Sequence, residues 1–279
     1  MRVFNTIAET RKFSGQARSE GKSIGFVPTM GALHPGHISL VERARRENEL
    51  VVVSIFVNPI QFNNTADLEK YPRNLSSDLQ LLKAAGCDVV FNPSVSEMYP
   101  EKIERHYDFG ALATVMEGAF RPGHFDGVAI VVHKLFDIVL PHRAYFGEKD
   151  YQQLQIIRAL VRQEDLQVNI VPCPISREND GLARSSRNER LTPEMRNAAP
   201  FIYQTLLNAQ ALATNAESGR IIEYVYQQFA NHPLLKLEYF VVANSDDLQP
   251  VSGKIKPGSF GFIAVFAGDI RLIDNIKLI

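Results

Sequence analysis

Residues 26–37 read Phe-Val-Pro-Thr-Met-Gly-Ala-Leu-His-Pro-Gly-His, and the organisation of the whole chain follows from this stretch. It predicts a buried β-strand over Ser23–Val27, a turn that contains glycine, and an amphipathic helix from about Gly36 to Asn48. Pro35 fits the helix entry because proline has no N–H to leave unpaired. The other N–H groups at a helix start are unpaired and carry the positive end of the helix dipole. The junction therefore suits a bound anion such as a phosphate.

Two histidines, His34 and His37, lie three residues apart in this stretch, so both imidazoles lie on the same side of the first helical turn. Imidazole donors beside unpaired N–H groups suit a triphosphate. His-x-Gly-His is a short motif, and an ordinary junction with two surface histidines is the alternative interpretation. A metal site is disfavoured because no third ligand at suitable spacing is near. The sequence has neither a G-x-G-x-x-G loop nor a G-x-x-x-x-G-K-[ST] phosphate loop.

The composition is that of a soluble globular protein. The 279 residues are 45% hydrophobic and 22% charged, with a net charge of −1. Because the charge is nearly balanced, we expect no nucleic-acid partner and no broad anionic-membrane surface. Two cysteines, no signal peptide and no apolar run of membrane-spanning length favour reduced thiols and a cytoplasmic enzyme.

Apolar strands alternate with amphipathic helices over the first part of the chain. This order predicts an α/β fold with a Rossmann-like, doubly wound parallel sheet over residues 1–175. Residues 176–279 are predicted to form a smaller α+β lid domain, with helices over Pro193–Thr214 and Ser218–His232 followed by antiparallel strands. Between the two parts, the pattern indicates a strand and a helix within 99–116, a loop over 117–127 and a helix over 128–140. The polar segment 63–71 is predicted to be a flap.

Ligands of such sheets bind at the carboxyl ends of the strands. Three polar segments follow predicted strands at that edge: the histidine turn, Asn58–Phe62 and Gly147–Asp150. We therefore expect these three segments to contribute to one site.

Six segments between about residues 26 and 190 together form a specific pattern: 28–37, Val57-Asn58-Pro59-x-Gln61-Phe62, Tyr71-Pro72-Arg73, Arg121-Pro122-Gly123-His124-Phe125, 146–154 and Ser185-Ser186-Arg187-Asn188. With these segments the chain resembles the pantothenate synthetase family, the ATP-dependent ligases that join pantoate to β-alanine. This resemblance implies two half-reactions. Pantoate and ATP give pantoyl adenylate and pyrophosphate, and β-alanine then displaces AMP.

The resemblance also implies roles for individual residues. It gives four catalytic residues, His34, His37, Lys149 and Arg187. The implied ATP-binding residues are Met30, Gly31, Ala32, Leu33, His34, Pro35, Gly36, His37, Gly147, Glu148, Lys149, Asp150, Ser176, Arg184, Ser185, Ser186 and Arg187. The implied pantoate and β-alanine ligands are Gln61, Gln153 and Asn58, because neutral amides suit the hydroxyls of pantoate. Mg²⁺ is expected beside ATP, with Asp78 as a tentative ligand.

Several points stay open at the level of sequence. Arg184 stands where the family often has methionine or leucine, and Ser77 stands where an acid is frequent. Arg73, Arg121 and His124 either bind ligands or brace loops. For the segment Arg184–Arg187, the alternative to phosphate binding is an ordinary basic loop exposed to solvent. A nucleotidyltransferase that releases a nucleotide-linked product and a nucleotide-binding regulatory module are the competing functions. A homodimer is the family expectation.

Overall fold

The structure is a computed structural model that describes residues 1–62, 68–69 and 71–279. The flap predicted at 63–71 falls mostly outside these residues. The chain divides into two compact units. The first unit consists of residues 1–148 and 156–174, and the second consists of residues 149–155 and 175–279.

The first unit is built on a six-stranded sheet with the order β1-β4-β3-β2-β5-β6, and all its strand pairs are parallel. Its strands are β1 Arg2–Phe4, β2 Ile24–Thr29, β3 Leu50–Ile55, β4 Val89–Phe91, β5 Arg143–Gly147 and β6 Asn169–Cys173. Its helices are α1 Ile7–Ser19, α2 Pro35–Glu47, α3 Leu75–Ala84, α4 Val95–Met98, α5 Glu117–Phe120, α6 His124–Val139 and α7 Tyr151–Gln163, whose first five residues belong to the second unit. The predicted fold class is confirmed.

The central strands are largely apolar because both faces of a parallel sheet are covered. In β3 the residues from Val51 to Ile55 are all buried. Pro28 lies in the central strand β2 although it cannot donate to the ladder. It pairs with Ser54 of β3, and the pairing of β2 with β5 is confined to Gly25 and Phe26. The missing N–H therefore falls beyond the β2–β5 ladder.

The sequence prediction is wrong in the middle of the first unit. Helix α6 begins at His124 and not at Val128, since Gly123 at its N-cap adopts a left-handed φ of 76° that starts the helix early. Residues 99–109 form no strand and are followed by a 3₁₀ turn, Gly110–Ala113. Both thiols, Cys87 and Cys173, are buried and free, as predicted.

The second unit contains a three-stranded antiparallel sheet, β7-β8-β9. Its strands are β7 Leu235–Asn244, β8 Ser259–Ala267 and β9 Ile270–Lys277, and its helices are α8 Pro193–Ala198, α9 Phe201–Ala213 and α10 Ser218–Phe229. The single helix predicted over 193–214 is divided in two, because Pro200 lacks the N–H that a continuous ladder requires. Helix residues such as Leu206 and Val225 pack on Ile263 and Val265 of the sheet in one core.

Among the described residues, no helix is both long and apolar enough to cross a bilayer.

Candidate active site

The histidine turn caps helix α2 with two imidazoles. His34 is the N-cap residue, and its Nδ1 accepts from the Gly36 N–H at 3.1 Å. His37 Nδ1 accepts in return from the His34 N–H at 3.4 Å. The ring centroids are 4.1 Å apart. In a neutral imidazole whose Nδ1 accepts, the hydrogen is on Nε2. Each ring therefore has an Nε2–H donor, the group that a phosphate oxygen requires.

The turn before the helix is held by Asp78 of α3. Gly31 and Ala32 have left-handed φ values of 83° and 50°. The Asp78 carboxylate is 3% exposed and accepts from the Ala32 N–H at 3.0 Å and from the Leu33 N–H at 2.8 Å. The two hydrogen bonds occupy one oxygen each. The Asp78 carboxylate is thus directed at the backbone of the turn, and its tentative contact with Mg²⁺ stays a prediction.

The end of strand β3 carries Asn58 and Gln61, which are 1% and 8% exposed. Asn58 Nδ2 donates to Gln61 Oε1 at 3.1 Å. His124 is buried, and its Nδ1 lies 2.9 Å from the Gln61 carbonyl oxygen. Since a carbonyl only accepts, His124 is the donor there. Of the two alternatives for His124, the structure supports the brace: its imidazole holds the 3₁₀ turn Pro59–Gln61.

The second unit holds a small pocket that Lys149, Ser185 and Arg187 line together. The Lys149 side chain is 16% exposed, with Nζ 3.7 Å from an Asp150 carboxylate oxygen. The backbone carbonyl oxygen of Lys149 accepts from Asn275 Nδ2 at 3.0 Å. A lysine and an arginine in one pocket provide the positive charge that a phosphate chain requires. The structure therefore brings together two of the four predicted catalytic residues.

The segment 176–187, called the arginine loop below, begins with hairpin-like contacts. Ser176 O accepts from the Arg184 N–H at 2.9 Å, and the Arg184 guanidinium contacts Glu178 at 3.0 Å and the Arg177 carbonyl at 3.2 Å. The long side chain at position 184 is thus folded back on its own loop. Ser185 caps the 3₁₀ turn Ser186–Arg190, and Arg187 in that turn is exposed.

A buried ion pair fixes the base of this loop. Arg177 donates to both carboxylate oxygens of Asp274, at 2.6 Å and 3.0 Å, and its guanidinium lies 3.7 Å from the Tyr203 ring centroid. Burial raises the pKa of the Asp274 carboxyl, although Arg177 acts in the opposite direction. The fork geometry explains why an arginine holds this position.

The remaining predicted residues lie on the same two units. Gly147 ends β5, Glu148 follows it, and both are half-buried in the first unit. Asp150 is exposed and Gln153 is half-buried in the second unit, at the start of α7. The histidines, Asn58 and Gln61 belong to the first unit, whereas Lys149, Gln153 and the arginine loop belong to the second. The convergence of both groups on one ligand stays a prediction.

Sequence reasoning missed several residues at these places. Arg271 and Asp274 line the pocket of Lys149, but on the sequence they read only as part of a hairpin strand. The sequence pattern predicts that Gly127 lies in a loop. It lies in α6 against the turn of Gln61, where a Cβ would come within 2.6 Å of the Ile60 carbonyl oxygen. A glycine inside a helical pattern indicates such a close approach, but the sequence pattern predicts that this helix begins only after Gly127.

Comparison with known proteins places this geometry in a family. The family model described as Pantoate-beta-alanine ligase matches residues 2–277. Pantothenate synthetase from Bacteroides fragilis is 52% identical over 278 residues, 99% of each chain, and the enzyme of the same description from Christiangramia forsetii is 53% identical over 266 residues, 94% of each.

Two solved structures extend the comparison over the full length. Pantothenate synthetase from Thermus thermophilus superimposes with a TM-score of 0.93 at 44% identity, covering 100% of this chain and 99% of its own. The pantoate-beta-alanine ligase from Francisella tularensis, complexed with beta-gamma ATP and beta-alanine, gives a TM-score of 0.82 at 38% identity, covering 100% and 98%. The resemblance that the motifs indicated is confirmed, and the chain belongs to the pantoate–β-alanine ligase family.

Proposed function

We propose that this enzyme condenses pantoate with β-alanine in two steps at the expense of ATP. In the first step a pantoate carboxylate oxygen bonds to the α-phosphorus, the bond from that phosphorus to the β-phosphate bridging oxygen breaks, and pyrophosphate leaves. In the second step the β-alanine amine attacks the pantoyl carbonyl carbon, AMP leaves with the bonding electrons, and the amine loses a proton. The products are pantothenate, AMP and pyrophosphate.

The observation that carries the proposal is the reciprocal capping of His34 and His37. It directs both Nδ1 atoms to the backbone, which leaves the hydrogen of each neutral ring on Nε2. Negative charge grows on the phosphate oxygens during adenylation, and donors held in place before the reaction stabilise that charge without reorganising. We assign the two Nε2–H groups to this task, with His37 as the main donor.

The other roles follow the chemistry of each group. Lys149 and Arg187 share a pocket with Ser185, which supports their assignment to the leaving pyrophosphate. Gly147 and Asp150 are assigned to the ribose of ATP, since a carboxylate accepts well from its hydroxyls.

For pantoate we assign Gln61 and Gln153 as the ligands. Substrates that lack the matching polar groups would leave these amides unpaired, which provides discrimination.

Mg²⁺ is best described as part of the nucleotide substrate. Among the residues that the structure describes, no three His, Cys, Asp or Glu side chains form a group that could hold a metal ion. The Asp78 carboxylate accepts from two N–H groups of the turn. Mg²⁺ is bound in many enzymes mainly through substrate phosphates and water, which fits this donor set.

The test is pantoate-dependent exchange of labelled pyrophosphate into ATP in the absence of β-alanine. Reversible adenylation predicts exchange that requires pantoate. A nucleotide-binding module without turnover predicts none, and a nucleotidyltransferase of phosphate esters predicts exchange with a phosphorylated acceptor and none with pantoate. Absence of pantoate-dependent exchange in folded protein would reject the proposal.

We further propose that the enzyme acts in the cytoplasm as a homodimer, on small molecules alone. The near-neutral net charge of −1 supports the absence of a nucleic-acid or membrane partner. Light scattering on the purified chain tests the dimer, and a monomer mass at micromolar concentration would contradict it.

A further inference from the structure

The amide of Asn58 is fixed by a partner that can only accept. Asn58 Nδ2 lies 3.1 Å from the carbonyl oxygen of Gly127 in α6. A backbone carbonyl has no hydrogen to donate, so the Asn58 atom that faces it must be the nitrogen. The orientation of this buried amide therefore follows from the backbone of α6. Gly127 permits the contact, because a Cβ at this position would lie 2.6 Å from the Ile60 carbonyl oxygen.

The fixed amide imposes an orientation on Gln61. The same Asn58 Nδ2 lies 3.1 Å from one end of the Gln61 amide. Because Nδ2 is a donor, that end must be the acceptor Oε1. Gln61 Nε2 is then turned to the other side, where it is 3.2 Å from the sulfur of Met30. Thioether sulfur is a weak acceptor, so an oxygen of a ligand competes well for these N–H groups.

The third polar contact of Asn58 is also made within the protein. Its Oδ1 accepts from the Tyr99 hydroxyl at 2.9 Å. The two hydrogens of Nδ2 and the oxygen Oδ1 thus all have protein partners, and the residue is only 1% exposed. This arrangement argues against the earlier prediction that Asn58 binds the substrate itself.

We propose that Asn58 is a positioning residue that orients the Gln61 amide so that Gln61 Nε2 donates to pantoate, and that the Gly127 carbonyl fixes the orientation of both amides. The inference deepens the function proposed above and rests on it. The pantoate atom that Gln61 Nε2 contacts must then be an accepting oxygen, either of the carboxylate or of a hydroxyl whose own hydrogen is directed elsewhere. A ligand group that can only donate does not match this Nε2.

A double-mutant cycle separates positioning from direct contact. Asn58→Ala, Gln61→Ala and the double variant are compared with the wild type by kcat/KM for pantoate in the pyrophosphate exchange assay. If Asn58 acts only through Gln61, each single change costs about tenfold or more, and the double variant lies within about twofold of Gln61→Ala. KM for ATP stays near the wild-type value in all three. If the two losses multiply in the double variant, Asn58 touches pantoate on its own account and the inference is wrong.

Asn92→Ala is the matched control. Asn92 is a half-buried asparagine of the first unit whose Nδ2 donates to the Ile55 carbonyl at 2.7 Å, the same kind of contact at another strand end. We expect a loss of stability from this change and no change in KM for pantoate. Any effect that it has on kcat/KM should multiply with that of Gln61→Ala. Equal non-additivity in this control would overturn the inference, since it would show that the coupling is general.

A second variant covers the case in which Asn58→Ala does not fold. Asn58→Asp keeps the shape and the acceptor for Tyr99 but removes both donors to Gly127 and Gln61. It enters the same cycle with the same expected and contradicting results. A wild-type enzyme without pantoate-dependent exchange would reject the proposed function, whereas normal wild-type exchange with multiplying losses would reject the positioning role alone.

Discussion

Replacing Asp78 with asparagine tests whether this buried carboxylate holds the histidine turn or a metal. The carboxylate accepts from the N–H groups of Ala32 and Leu33, one at each oxygen. Hydrogen bonds to a charged group are worth about 1.5–3 kcal/mol each. Asn keeps one acceptor and turns an NH₂ toward the other N–H, so one bond is lost and one donor is left unpaired. We expect Asp78→Asn to cost about 3 kcal/mol of unfolding free energy.

The assay combines thermal melting with pantoate-dependent exchange at graded Mg²⁺. For a unit of this size, about 3 kcal/mol corresponds to a fall in Tm of roughly 6–12 °C. Activity of the folded variant should fall as well, because the turn that carries the histidines is no longer held, and added Mg²⁺ should not restore it. Asp108→Asn is the control, since the Asp108 carboxylate accepts from the Gly110 N–H at 2.8 Å on the exposed surface. Its Tm should change by a few degrees at most. An unchanged Tm for Asp78→Asn together with rescue by Mg²⁺ would refute the turn-holding role.

Three further changes test other parts of the structure. Gly127→Ala forces a Cβ against the turn that carries Gln61, so we expect a loss of about 1–3 kcal/mol of unfolding free energy in urea and a raised KM for pantoate. Gly219→Ala is the control and should not destabilise the protein, because the added Cβ meets open space. Equal behaviour of the two variants would contradict this packing. His37→Ala should reduce exchange by about 10²-fold or more while Tm changes little, and an unfolded variant whose surviving folded fraction keeps full activity would disprove the catalytic role. Burial lowers the pKa of His142, whose Nδ1 accepts from the Ile24 N–H at 3.0 Å, so its contribution to stability is complete above the unfolded pKa of about 6.5 and decreases as pH falls toward the lower folded pKa. His142→Asn keeps an acceptor at the δ position and should flatten the decline of Tm between pH 7 and 5. An unchanged slope of Tm against pH would contradict the assignment.

The sheet and the histidine turn were predictable because their signals are local and strong. A largely apolar run such as Leu50–Ile55 between two amphipathic helices has few alternatives to a central parallel strand. The same holds for the helix entry at Pro35, where the missing N–H and the capping side chain stand next to each other in sequence.

The orientation of side chains at the site was not predictable from local patterns. The role of Asp78 depends on N–H groups that precede it by more than forty residues, and no periodicity connects the two. For Asn58 the deciding atom is a carbonyl oxygen of residue 127. The helix that supplies it was predicted to begin just after Gly127, because the left-handed Gly123 that starts the helix looks on the sequence like an ordinary loop glycine. These misses have one cause: long-range partners decide which atoms of a polar side chain remain for a ligand.

The ion pair between Arg177 and Asp274 limits how related chains can differ at these two positions. Loss of either partner alone leaves a largely buried charge unpaired and costs about 3–5 kcal/mol, whereas two apolar residues of matched volume are tolerated. Lysine is a poor replacement for the arginine, since it offers a single point charge in place of the fork and cannot stack on Tyr203 in the same way. The two positions should therefore covary in an alignment of this family, changing as a pair or staying as they are.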